Sequence, residues 1–163
     1  MVEVNTFQSI ILYRMNGQLL YFAYGSNMDT IQMSKRCPSA KKVGVGYVDG
    51  WKFQYDGSDD KAIPAFANLV KSNSGRAWGV IYEMHKKDLE PLDNYESHPL
   101  KYYHDYLSIE LAEYGHPVNA LAYLLHEPSR PRGVPSKQYR DKVVTAAKKN
   151  KLPAEYISNI LYA

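Results

Sequence analysis

The sequence has almost no cysteine. Cys37 stands alone among 163 residues, so no internal disulfide can form, and no thiol set is available to bind zinc. A reducing compartment, the cytoplasm, is the expectation. No apolar run approaches the roughly 18 residues that a membrane-spanning helix needs. The stretch Ile10–Tyr13 is too short for a signal-peptide core, and no basic segment precedes it. Charge of one sign is also scarce. A formal net charge of +3 is too weak to imply nucleic acid without a distinct patch. The five histidines are scattered without metal-ligand spacing. The glycines Gly44, Gly46 and Gly50 follow the wrong interval for a dinucleotide fingerprint.

Apolar residues and tyrosine are plentiful. Apolar residues make up 45% of the chain, enough for the core of one domain. Fifteen tyrosines point to β structure with a half-wet cleft. Leu19 to Tyr24 reads as a buried strand running into the turn Gly25-Ser26-Asn27, followed by a short helix over Asp29 to Arg36. Val43–Val48 and Trp51–Tyr55 read as two strands around an Asp49-Gly50 hairpin turn. Phe66–Val70 and Ala77–Glu83 read as two more, joined by Ser72–Gly75. Tyr106–Leu111 and Val118–Leu125 form a last pair. Helices are expected over Lys86–Glu96, over Ser136–Asn150 with Ser136 as N-cap, and near Pro153. Six or seven strands with short connections and two or three helices give an α+β class: a small, mixed, mostly antiparallel β-barrel with flanking helices. Residues 1–18 read as an N-terminal extension and residues 19–163 as the domain.

Two places carry chemistry. The first is the loop Tyr24-Gly25-Ser26-Asn27. Its glycine admits close backbone approach, its N–H groups turn into a helix start, and Ser26 and Asn27 add donors. A carboxylate or a developing oxyanion fits there, and so does an ordinary capped turn. The second is Glu96. It shares a helix face with Leu89 and Leu92, and a carboxylate on an apolar face has a raised pKa and is a stronger base. The competing reading is a solvent-facing glutamate, or one paired with Lys101 or His98. Cys37, between Arg36 and Pro38, reads as a structural thiol more readily than a reactive one. The basic residues of the Ser136–Asn150 helix read as a solvated face.

Five segments, in order, resemble the γ-glutamylcyclotransferases: YFAYGSNM (Tyr21–Met28), CPSA (Cys37–Ala40), AWGVIYEM (Ala77–Met84), LDNYE (Leu92–Glu96) and the stretch from Pro135 to Tyr156. The resemblance implies a small mixed barrel that needs no cofactor or metal. It implies conversion of a γ-glutamyl amine or amino acid into 5-oxoproline and free amine. Glu96 is then the acid and base. Tyr24, Gly25, Ser26, Asn27 and Met28 bind the γ-glutamyl part, and Tyr123 lines the pocket. Tyr103 fits a family tyrosine after the glutamate, with Tyr102 beside it leaving the register open. The partners implied are a small γ-glutamyl molecule and, by family analogy, a second copy in a homodimer, with no nucleic acid and no membrane. YGSN resembles the classical branch more than the glutathione-specific or γ-glutamylamine branches. One departure stands out: Ser97-His98-Pro99 follows the glutamate where members usually carry glycine. A non-catalytic ligand-binding or regulatory member of the same fold is the alternative.

Overall fold

The computed structural model describes residues 17–57, 63–113, 115–126 and 132–162. Nearly all of the expected N-terminal extension lies outside them. Five strands close into a barrel in the order β1-β3-β2-β4-β5. They are β1 (Gln18–Ala23), β2 (Lys41–Asp56), β3 (Phe66–His85), β4 (Tyr102–Leu111) and β5 (Pro117–Leu125). Neighbours are antiparallel except at the seam, where β5 meets β1 in parallel at Tyr21 and Leu121. This seam explains the unbroken apolar run of β1. Every residue from Leu19 to Ala23 is buried, so both faces of the strand are covered. In contrast, β4 alternates from Leu107 onward, with Leu107, Ile109 and Leu111 buried and Ser108 exposed.

Four helices flank the barrel: α1 (Thr30–Arg36), α2 (Leu89–Tyr95), α3 (Lys137–Lys149) and α4 (Ala154–Tyr162). The α1 cap is Asp29, whose Oδ1 accepts from the N–H groups of Ile31 (2.9 Å) and Gln32 (3.1 Å). Ser136 caps α3 as expected, accepting from Tyr139 N–H at 3.1 Å. The buried side of α3 is Val143, Val144, Ala146 and Ala147, while its lysines stand in solvent. At its end, Asn150 donates to the carbonyl of Met28 at 2.8 Å and so ties α3 to the loop after β1.

The Asp49-Gly50 hairpin expected from sequence is not formed. One continuous strand, β2, runs through it, and the register jumps from Asp49 opposite Arg76 to Trp51 opposite Lys71. Gly50, at φ +83°, makes a bulge facing Ser72–Gly75, which are likewise within one strand. An Asp-Gly pair supplies positive φ equally well to a turn or to a bulge. The expected strands therefore merge in pairs, and the two long strands stay paired through to Asp56 opposite Phe66. The expected helix from Lys86 begins as a 3-10 turn over Lys86–Asp88, becomes α2 at Leu89 and carries Glu96 as its C-cap.

A buried polar network ties three strands below the cavity described next. Asp56 on β2 accepts from Gln54 Nε2 (2.7 Å) and Asn68 Nδ2 (2.8 Å), and Asn68 Oδ1 accepts from Leu125 N–H (3.0 Å). Asp56 and Asn68 are completely buried.

Candidate active site

Where β1 ends, Gly25 leads into a single 3-10 turn, Ser26–Met28. A side chain at residue 25 would be crowded. A Cβ there would lie 3.0 Å from the Cβ of Ala67 and 3.3 Å from the Tyr139 hydroxyl. The turn is fixed from below, since Tyr82 Oη donates to the Asn27 carbonyl at 2.8 Å. Asn27 is buried, and its side chain is a junction. Its Nδ2 donates to Tyr21 Oη (3.0 Å) and to Glu96 Oε1 (3.2 Å). Its Oδ1 accepts from Gln32 Nε2 (3.0 Å) and Arg36 Nη1 (2.9 Å), both on α1.

A cavity of about 330 Å³ opens beside this turn. Tyr21, Tyr24, Gly25, Ser26, Asn27, Glu96, Tyr102 and Tyr123 line it, with Tyr139 and Lys142 from α3 and Arg36 and Lys101 at its sides. Among the described residues of its lining, Glu96 is the one acid and Arg36, Lys101 and Lys142 are the cations. Burial pushes the Glu96 carboxyl above the usual range, and the opposing pull of Arg36, Lys101 and the Asn27 amide does not cancel that rise. Of the competing sequence readings for Glu96, the solvent-facing one does not hold. Lys101 faces it electrostatically, whereas His98 turns toward Asp93.

Tyr123, on β5, spans the cavity wall. Its ring meets Tyr21 edge-on at 5.9 Å, its hydroxyl donates to Asp93 Oδ1 at 2.5 Å, and its carbonyl accepts from Tyr24 Oη. Burial first, and then the bond to Asp93, raise its phenol pKa, so the hydroxyl stays protonated. Two of the expected residues lie elsewhere. Met28 is completely buried beneath the turn and contributes its backbone carbonyl to Asn150. Tyr103 faces away and packs on His126 at 4.9 Å, and its neighbour Tyr102 lines the cavity. Adjacent strand residues point to opposite faces, so only one of the two can do so. Sequence reasoning named Lys101 as a possible partner of Glu96 but missed Arg36, Gln32 and Tyr139 as cavity residues. The helical spacing of Gln32 and Arg36, four residues apart, was the available signal for those two. Cys37 is completely buried, and burial raises its thiol pKa to about 12, the behaviour of a structural cysteine.

The serine after Glu96 takes on a role suited to glycine. Ser97 N–H donates to the Asn94 carbonyl (3.2 Å) and His98 N–H to the Asp93 carbonyl (2.9 Å). This bond pair is a Schellman ending, and it places Ser97 at the left-handed position, with φ +53°. Ser97→Gly is expected to stabilise the fold by about 0.5–1 kcal/mol, because a side chain disfavours this conformation. A raised urea midpoint at unchanged m-value is the readout, and an unchanged midpoint would show no strain there.

A closed five-strand mixed barrel with flanking helices is the γ-glutamylcyclotransferase-like architecture. The chain matches the AIG2-like family over residues 76–160. It is 32% identical to human γ-glutamylcyclotransferase over 143 residues, which is 84% of this chain and 74% of the relative. It is 30% identical to the bovine protein of the same name over 142 residues, with the same shares covered. A solved γ-glutamyl cyclotransferase superposes with TM-score 0.79 at 28% identity, over 88% of this chain and 86% of that one. The chain belongs to this family of enzymes. Among the described residues, no helix is long and apolar enough to cross a membrane.

Proposed function

We propose that the protein cyclises γ-glutamyl amino acids, releasing 5-oxoproline and the free amino acid. The observation that carries this reading is Glu96, a carboxylate with a raised pKa, held by Asn27 in a cavity beside a glycine turn. The substrate's α-nitrogen arrives as an ammonium ion, which has no lone pair. Glu96 takes one proton. The freed amine attacks the γ-carbonyl carbon of the same molecule, forming the ring C–N bond and pushing an electron pair onto oxygen. Attack within one molecule avoids most of the entropy cost of a bimolecular encounter, provided the chain is held folded. The first N–H groups of the turn and the side chain of Ser26 suit the α-carboxylate or the oxyanion. As the oxyanion collapses, the bond to the leaving nitrogen breaks and protonated Glu96 returns its proton there; the ring nitrogen, which still carries two protons, then gives one to the ionised Glu96, which releases it to solvent and resets. No covalent enzyme intermediate is needed.

The cations that border the cavity favour a leaving amine that carries its own carboxylate. Arg36, Lys101 and Lys142 face a single acid, Glu96, and a bound γ-glutamyl amino acid brings two carboxylates. The purified protein is therefore expected to release 5-oxoproline from γ-glutamyl amino acids at least about tenfold faster, by kcat/KM, than from an uncharged γ-glutamyl alkylamine. Glutathione completes the panel. Product from none of these compounds would overturn the reading in favour of a non-catalytic barrel. Equal rates for the charged and uncharged leaving groups would overturn the assignment of the cations.

A further inference from the structure

Next to Tyr123, and outside the lining of the cavity, the fold brings together one acid and two histidines. Asp93 comes from α2, His98 from the turn after it and His104 from β4. Their ligand atoms all lie within 4.8 Å of one another. Asp93 Oδ2 is 3.7 Å from His98 Nδ1, and Asp93 Oδ1 is 3.6 Å from His104 Nε2. Two ligands bound at zinc distances and the tetrahedral angle stand about 3.3 Å apart, so the two Asp–His separations need to shorten by only a few tenths of an ångström, and the approach of the two imidazoles to one ion comes from rotation of one ring. We propose that Asp93, His98 and His104 form a binding site for a divalent transition-metal ion of the zinc class.

Three further observations favour a built site over a chance grouping. Tyr123 Oη donates to Asp93 Oδ1 at 2.5 Å, orienting the carboxylate as outer partners of metal ligands do. The backbone bond from His98 N–H to the Asp93 carbonyl fixes the turn that carries His98. His104 sits directly opposite Tyr123 in the β4–β5 register, with its ring edge-on to the tyrosine at 5.7 Å. All three ligand side chains are about a quarter exposed, so an ion has an entry path and room for a bound water as fourth ligand. The two imidazoles stack at 4.2 Å and 4°. Their lone pairs lie in the ring planes, so one ring must turn for both to meet a single ion. His98, on the turn, is the ring that moves, because His104 is fixed in a strand. Two imidazoles and one carboxylate suit Zn²⁺, Co²⁺ or Ni²⁺ and not Mg²⁺ or Ca²⁺.

The test is a Co²⁺ titration of chelator-treated full-length protein followed by visible absorption, with Zn²⁺ as competitor and Mg²⁺ as control. One ion is expected to bind per chain, to be displaced by Zn²⁺ and to ignore Mg²⁺. The affinity is expected to fall at least about tenfold in His98→Ala and in His104→Ala and to stay unchanged in His85→Ala. Circular dichroism and Tm report whether each variant folds. Should His104→Ala unfold, His98→Asn, on the turn, carries the test alone. Zn²⁺ is also expected to raise the wild-type Tm and to leave that of His98→Ala unmoved. Absence of saturable binding, or binding that survives loss of His98, overturns the site. Neither result depends on 5-oxoproline formation, so the site and the proposed reaction stand or fall separately.

Discussion

Glu96→Gln is expected to fold like the wild type and to lose turnover by about a thousandfold or more. Glutamine keeps the shape, and its amide oxygen can still accept from Asn27 Nδ2, but it cannot take a proton from an ammonium ion. The effect should fall on kcat, since binding of the γ-glutamyl chain uses other groups; about 4 kcal/mol of barrier corresponds to the thousandfold change. The pH profile gives the same group a second signature. A base acts in its ionised form, and burial raises the Glu96 pKa. Activity should therefore fall as pH drops through a value above the ordinary carboxylate range, and this acid limb should be absent from whatever rate Glu96→Gln retains. A Glu96→Gln enzyme with near wild-type kcat would show that another group moves the proton.

The second large effect is on stability. Asp56→Ala is expected to lower the unfolding free energy by about 3 kcal/mol, because it strands the buried amides of Gln54 and Asn68. For a chain of this size that corresponds to a fall in Tm of roughly 6–12 °C. Asp56→Asn restores the volume but points an NH₂ group at one of two amide donors, so it should recover only part of the loss. A melting curve for each variant checks both statements. An Asp56→Ala protein that melts within a degree of wild type would mean that water replaces the carboxylate without cost.

The pattern of agreement with the sequence follows from the range of the interactions involved. The strand at Leu19, the Ser136 cap, the buried face of α3 and the exposed face beyond it all depend on neighbours within four residues, and all were legible. Asp49-Gly50 misled because its local demand, a positive φ, is common to turns and bulges. What decides between them is the partner strand, and Lys71 and Arg76 are more than 20 residues away. The same limit applies at the site. The helical spacing of Glu96 with Leu89 and Leu92 left two readings open, and the resemblance of LDNYE chose between them. Its actual partners, Asn27 on the 3-10 turn and Arg36 on α1, are brought to it by the barrel. Tyr102 and Tyr103 were indistinguishable in sequence because only the strand's orientation, fixed by its pairing with β5, selects the one that faces inward. The Asp93, His98 and His104 group was invisible for a related reason: two of its members sit on a helix end and a turn, and the third enters from a strand.

The parallel seam between β1 and β5 has a consequence for synthesis. Two of the five strand pairs join consecutive strands, but Tyr21 waits for Leu121, and the carbonyl of Met28 waits for Asn150. The first-made strand therefore leaves the ribosome with one edge unpaired, and it stays unpaired until most of the protein has followed. An open edge of this kind invites pairing with other chains. The cavity also has no half-built form, because its walls come from residues as far apart as Tyr21 and Lys142. A chain stopped anywhere before β5 would lack Tyr123 in the cavity wall and leave the β1 edge open, so premature termination there should yield aggregation-prone material and not a weakened enzyme.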